Sequence, residues 1–306
     1  MQELTTALGN YGLTKPLKEG AVAPQRHKPR YAEITEIVPA MRRMCRALEY
    51  DVCEMAFTTY LCARAAGLPF TAIPVFVTRN FHHWAISVHA ASDIWTPKDL
   101  EGRVVGVNRG YTVTTGLWAR GILQSEYGVD LGKITFVPTD DEHVENFAAP
   151  RNVDYARFRG RSLAELLINR EIDAAIGEIK ADPAQIRSLI PDPKNAAFDY
   201  YRRTGVYPIN HGIVVKNDVL KESPWLVNDI VSAFEAAKAV YLEDLEGSAR
   251  LSSWDKAAAD NAKVVGDPFP FGVEANRKAL ETMTQFAVDQ RMVPRRYTVE
   301  ELFTVN

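Results

Sequence analysis

Residues 50–67, YDVCEMAFTTYLCARAAG, run from an apolar strand-like stretch straight into a helix-like one. The pattern predicts a short strand through Glu54, a turn at Phe57-Thr58-Thr59, and a helix that Gly67 caps at its C-terminus. Thr58 and Thr59 fall where the first helical N–H groups have no internal partner, so the turn is a seat for an anion such as a carboxylate. Gly110-Tyr111-Thr112-Val113-Thr114-Thr115 repeats the arrangement further along. Two such turns on two α/β units predict a ligand held between two lobes.

The rest of the chain alternates in the same way. Strands are expected at 4–8, 31–38, 70–78, 85–89, 103–107, 134–138, 172–176 and 212–216. Helices are expected at 13–20, at 39–48 opened by Pro39, and at 114–127 stopped by Gly128. Further helices follow at 162–169, where Ser162 and Glu165 form a capping pattern, and at 225–242 and 274–289. Alternating strands and helices give mostly parallel sheets flanked by helices. A change of lobe near Ser92 and a return at His211 give residues 1–91 plus 211–306 as one lobe and 92–210 as the other. Residues 140–161 form a long polar, aromatic loop, expected to border the cleft.

Composition narrows the function. A formal net charge of −3 carries no nucleic-acid footprint. No apolar run approaches the roughly 20 residues that cross a bilayer. Cys45, Cys53 and Cys62 lack metal-ligand spacing and cannot all pair within one chain. They read as reduced thiols, and with no charged-then-apolar leader before LTTALG the expected compartment is the cytoplasm. The chain has no GxGxxG fingerprint, no Walker A loop and no GxSxG elbow, which disfavours hydride transfer, phosphoryl transfer and serine hydrolysis.

Three stretches, DVCEMAFTTYL, WARGILQSEYGVD and TGVYPINHGIVV, resemble the 4,5-dihydroxyphthalate decarboxylase family in wording, order and spacing. That family is similar in fold to type II periplasmic solute-binding proteins. The resemblance runs from the first strand to about Leu242 and implies two α/β lobes joined by two crossovers, with the ligand cleft between them. It also implies cytoplasmic enzymes of aromatic catabolism that remove one carboxylate from a dihydroxylated phthalate.

Such a reaction needs a cation for the dianion, an acid that protonates the ring carbon, and an acceptor for a ring hydroxyl. Arg79-Asn80-Phe81-His82-His83-Trp84 ends an apolar strand, where ligands gather in open α/β sheets. Arg79 can grip a carboxylate with two hydrogen bonds, with Asn80 beside it, and His82 or His83 can serve as the acid. His211, before Gly212 at the second crossover, is the other histidine expected to act. Glu54 is expected to take the hydroxyl's hydrogen bond. Thr58, Thr59, Tyr111, Thr112, Thr114 and Glu178 are the expected substrate-binding residues, against an ordinary reading as helix caps and a surface charge. Trp118 reads as core, and Arg202 with Arg203 as a solvated pair. No organic cofactor is expected, and no metal site, because His82, His83, Glu54 and His211 lack metal-site spacing; a divalent ion stays open only if they converge in the fold. The expected partner is a small aromatic carboxylate, with no nucleic acid and no membrane. Phe269-Pro270-Phe271-Gly272 suggests a homo-oligomer contact. The rival reading is a solute-binding protein for an organic anion, without catalysis.

Overall fold

The computed structural model of the protein describes residues 1–247 and 252–305. The chain divides into two units, one of Met1–Asn80, Ile209–Glu281 and Tyr297–Asn306, the other of Phe81–Pro208 and Thr282–Arg296. Along the first unit run β1 (Gln2–Ala7), α1 (Lys15–Lys18), β2 (His27–Tyr31), α2 (Ile37–Ala47), β3 (Val52–Ala56), α3 (Phe57–Ala65) and β4 (Phe70–Arg79). The second unit contributes β5 (Ile86–His89), β6 (Val104–Val107), α4 (Thr114–Tyr127), β7 (Thr135–Pro138), α5 (Leu163–Ile168), β8 (Ala174–Ile176), β9 (Ile186–Ser188) and α6 (Pro193–Thr204). The chain then returns through β10 (Ile209–Lys216), α7 (Asn217–Glu222), α8 (Leu226–Gly247), α9 (Ser253–Val265) and α10 (Arg277–Asp289).

Each unit holds a five-stranded sheet, ordered β2-β1-β3-β10-β4 in the first and β7-β6-β8-β5-β9 in the second. In each, one strand runs against both of its neighbours: β10 in the first and β5 in the second. The remaining neighbours pair in parallel, so both sheets are mostly parallel, as the alternation of elements predicts. In the first unit, Ile73, Val75 and Val77 on β4 and Ile213 and Val215 on β10 alternate onto one face, packed with Phe234 and Ala237 of α8. In the second, Val137, Leu163, Leu166, Leu167 and Ile172 close over Ala175. The three cysteines are free thiols, all buried, and all in the first unit. Among the described residues, no helix is long and apolar enough to cross a membrane.

Several expected boundaries move. The first unit gives way at Asn80 rather than 91, the return begins at Ile209 rather than 211, and Thr282–Arg296 joins the second unit instead of the first. Residues 31–38 are not a strand. β2 ends at Tyr31, and α2 begins at Ile37 because Pro39 sits in its first turn, where no intrahelical bond is lost. β2 is an edge strand and so tolerates Pro29. There is no separate turn at 57–59: Ala56 caps α3 directly, and Phe57, Thr58 and Thr59 form its first turn.

Candidate functional site

Glu54 sits in β3, all five residues of which are buried, and its carboxylate is 0 % exposed. A carboxylate there needs dedicated donors. The loop after β1 supplies two of them. Gly9 N–H donates to Oε2 at 2.8 Å, and the Tyr11 hydroxyl donates to Oε1 at 2.7 Å. Gly9 has to be glycine here, because a Cβ would lie 2.3 Å from the Tyr11 hydroxyl oxygen. Burial first, and the Glu54 charge second, hold the Tyr11 phenol well above its ordinary pKa, so it remains a donor.

The third donor comes from β10. Ile213 lies opposite Glu54 in the antiparallel register, and His211 lies two residues earlier on the same face, the diagonal neighbour. Its Nδ1 is 2.6 Å from Glu54 Oε1. Its side chain is 20 % exposed while that of Glu54 is 0 %, so the imidazole is the accessible member of the pair. Glu54 therefore faces Gly9, Tyr11 and His211 with its two oxygens, and His211 stands between it and solvent.

Arg79 ends β4, and Ile209 of β10 pairs with it, which brings it to the strand carrying His211. Its Nη1 donates to Asn276 Oδ1 at 2.5 Å. Asn276 is held in that orientation by donating its amide to Pro270 O and Gly272 O. Thr58 and Thr59 are buried in the first turn of α3, and Asn80 is half-buried beside Arg79. Against Tyr11, Thr78 and Arg79 opens a cavity of about 680 Å³, also lined by Asn10, Lys18 and Trp254.

In the second unit, the turn before α4 does seat a carboxylate, and the carboxylate is the chain's own. Glu142, from the loop at 140–161, accepts Thr112 N–H at 3.2 Å on both oxygens, and also the hydroxyls of Thr112 and Tyr155. A Cβ at Gly110 would lie 2.6 Å from Glu142 Oε2. Tyr111 turns inward instead, its hydroxyl donating to Gln290 O and its ring 3.9 Å from the Arg120 guanidinium. Thr114 is buried at the start of α4. Arg120 is fully buried, donating to Gln290 and to Tyr111 O.

His82 and His83 are both buried, not on a solvent loop, at the start of a short 3₁₀ turn. Burial pushes the His83 imidazole down to about 4, which keeps it neutral. Glu178 is exposed. Arg202 and Arg203 pair with Asp199 and Glu126, the ordinary surface reading. Trp118 is buried against Phe286, as expected of core. Among the described residues, no three His, Cys, Asp or Glu side chains cluster as a metal site. The sequence reading passed over Gly9, Tyr11, Lys18 and Glu142. The signal for the first two was their place just after a central strand of an α/β sheet.

The family model described as NMT1/THI5 like matches residues 49–158. A 4,5-dihydroxyphthalate decarboxylase of Comamonas testosteroni is 32% identical over 296 residues, covering 86% of this chain and 89% of that protein. One from Pseudomonas putida is 30% identical over 212 residues, 65% of this chain and 81% of that protein. Among solved structures, the periplasmic aliphatic sulphonate binding protein SsuA of Escherichia coli aligns over 99% of this chain and 97% of its own, with a TM-score of 0.56 at 15% identity. The desulfurization enzyme DSZB aligns over 99% and 96%, with a TM-score of 0.54 at 14% identity. These structures share the fold, the two-unit α/β architecture of periplasmic binding proteins. By its sequence relatives, the chain belongs to the 4,5-dihydroxyphthalate decarboxylase family.

Proposed function

We propose that the protein is a carboxy-lyase that converts 4,5-dihydroxyphthalate to protocatechuate and CO2, with His211 as the proton donor. The observation that supports this reading is the Glu54–His211 pair at 2.6 Å, its carboxylate buried and its imidazole accessible. Protonated His211 gives its proton to the ring carbon that bears the departing carboxylate. The hydroxyl para to that carbon feeds in the electron density that makes the carbon basic. The C–C bond then breaks, its electron pair restores the aromatic ring, and CO2 leaves. His211 recovers a proton from water. The Glu54 carboxylate steadies the imidazolium, and Tyr11 and Gly9 hold Glu54 in place. Arg79 is the cation for the retained carboxylate, with Asn80, Thr58 and Thr59 as polar neighbours. The para hydroxyl is an internal electron source, which is why the reaction is written without an organic cofactor. We place the enzyme in the cytoplasm as a homo-oligomer.

The test is to incubate the protein with 4,5-dihydroxyphthalate and follow protocatechuate and CO2, with and without prior EDTA dialysis. We expect turnover in both cases. His211→Gln should lower kcat by roughly 10²- to 10⁴-fold, the range for a lost general acid, with an unchanged melting curve. Glu54→Gln should lower it less. If His82→Gln is inactive and His211→Gln is not, the donor is misassigned. Binding without turnover would favour an anion-binding protein, the reading that rests on fold likeness to SsuA.

A further inference from the structure

The cavity beside Tyr11 and Arg79 holds a cation with no role so far. Lys18 ends α1, and its Nζ donates to Leu8 O at 3.3 Å and to Asn10 Oδ1 at 2.5 Å. Both acceptors are neutral. Asn10 presents its oxygen because its amide nitrogen donates to Ile34 O at 2.8 Å. An ammonium has three donors, so one is left over. Among the described residues no carboxylate lies within ion-pair distance of Lys18. The cavity's own acids are engaged elsewhere. Asp255 takes Ser252 N–H, the Ser252 hydroxyl and the Tyr241 hydroxyl, and Glu19 lies 4.0 Å from Lys15.

Lys18 also touches the loop that donates to Glu54. Leu8, whose carbonyl it bonds, precedes Gly9, which donates to Glu54. Burial pulls the Lys18 pKa down, and the Glu54 charge, the next contributor, pulls it back up. The ammonium therefore stands in the field of the catalytic carboxylate. The wall around it is aromatic: the Tyr11 and Trp254 rings lie 6.5 Å apart at 54°, and Tyr241 and Phe269 line the same cavity. Aromatic walls with two cations, Lys18 and Arg79, suit a planar ring with two carboxylates.

We infer that Lys18 is the specificity-determining cation of the substrate pocket, pairing with the second carboxylate of an aromatic dianion and so favouring substrate over its monocarboxylate product. This inference rests on the proposed decarboxylase reading and deepens it, Tyr11 being the link, since it lines this cavity and donates to Glu54. Decarboxylation removes the group that Lys18 holds. The product then keeps only the Arg79 contact and leaves. Lys18 holds the carboxylate equally before and during proton transfer to the ring, which precedes C–C cleavage, so its loss should act on KM rather than on kcat.

Titration calorimetry with phthalate and benzoate, an inert dianion and an inert monoanion, tests the binding claim without turnover. The wild type should bind phthalate more tightly than benzoate by roughly 10- to 100-fold, the worth of one charge-assisted hydrogen bond. Lys18→Met should erase that preference, Lys18→Arg should keep most of it, and benzoate binding should change little in either. With 4,5-dihydroxyphthalate, Lys18→Met should raise KM by a similar factor and leave kcat within a few-fold. Should Lys18→Met fail to fold, Lys18→Gln removes the charge while keeping donors for Leu8 O and Asn10. Unchanged phthalate affinity in either neutral variant overturns the inference, as does equal loss of phthalate and benzoate. Absence of phthalate binding to the wild type overturns it too. Lys18-dependent phthalate binding without turnover would sustain the inference and sink the decarboxylase reading. Turnover indifferent to Lys18 would do the reverse.

Discussion

Glu54 and His83 are both buried ionisable groups, and the chain handles them in opposite ways. Glu54 is given three donors, the His211 imidazole among them. His83, whose ring lies 5.4 Å from that of Tyr200, is desolvated and kept neutral, its pKa lowered from 6.5 to about 4. Between those two values the unfolded chain binds a proton that the folded chain refuses. Stability conferred by neutral His83 is thus present above pH 6.5 and is lost as pH falls toward 4, by up to about 1.4 kcal/mol per pH unit. Urea unfolding at pH 7 and pH 5 should show the wild type losing about 2 kcal/mol more than His83→Gln over that interval. Parallel losses in the two proteins would assign the acid sensitivity to other groups. At this scale the sequence was partly legible. Arg79, Glu54 and His211 could be singled out by residue type and by their place along apolar strands, and the structure puts them on neighbouring strands. That Glu54 bonds His211 could not, because the contact depends on the β3–β10 register and on a loop 43 residues upstream that holds Glu54.

Helix α4 shows what elements add. Its start and its Gly128 stop were readable from local punctuation, with Gly128 in the left-handed conformation at φ +64°. Gly121, in its middle, has a purpose no local pattern reveals. A Cβ there would stand 2.1 Å from the Phe286 ring of α10. Alanine ordinarily gains up to about 1 kcal/mol over glycine inside a helix. Here Gly121→Ala should instead destabilise by about 1–3 kcal/mol, the cost of overpacking, read as a lower urea midpoint or melting temperature. A more stable Gly121→Ala protein would show that the α4–α10 contact has slack. The anion seat before α4 teaches the same lesson. Thr112 and Gly110 announce a carboxylate, and only the folded loop at 140–161 says that Glu142 supplies it. The misread strand at 31–38 failed for a related reason: its β-branched and aromatic residues made it look β-rich, while Pro39 favoured a helical first turn.

Across the whole chain, the two sheets repeat one topology, with a single reversed strand in the same place in each. Alternating strands and helices made that fold class readable. The crossovers were harder, because the strand at 70–79 ends without a glycine or proline break and the chain changes unit at Asn80. The assignment of Thr282–Arg296 to the second unit was hidden as well, since α10 reads as one continuous amphipathic stretch. One imbalance between the units has a practical use. Every sulfhydryl of the protein belongs to the first unit, and burial holds the Cys45 thiol up at about 12 and Cys53 well above its ordinary value. An alkylating reagent is therefore a one-sided clock. In mild denaturant the rate of mass gain should time the opening of the first unit and stay blind to the second. Full labelling of the native protein while its near-ultraviolet dichroism is intact would mean that the three sulfurs are not shut away.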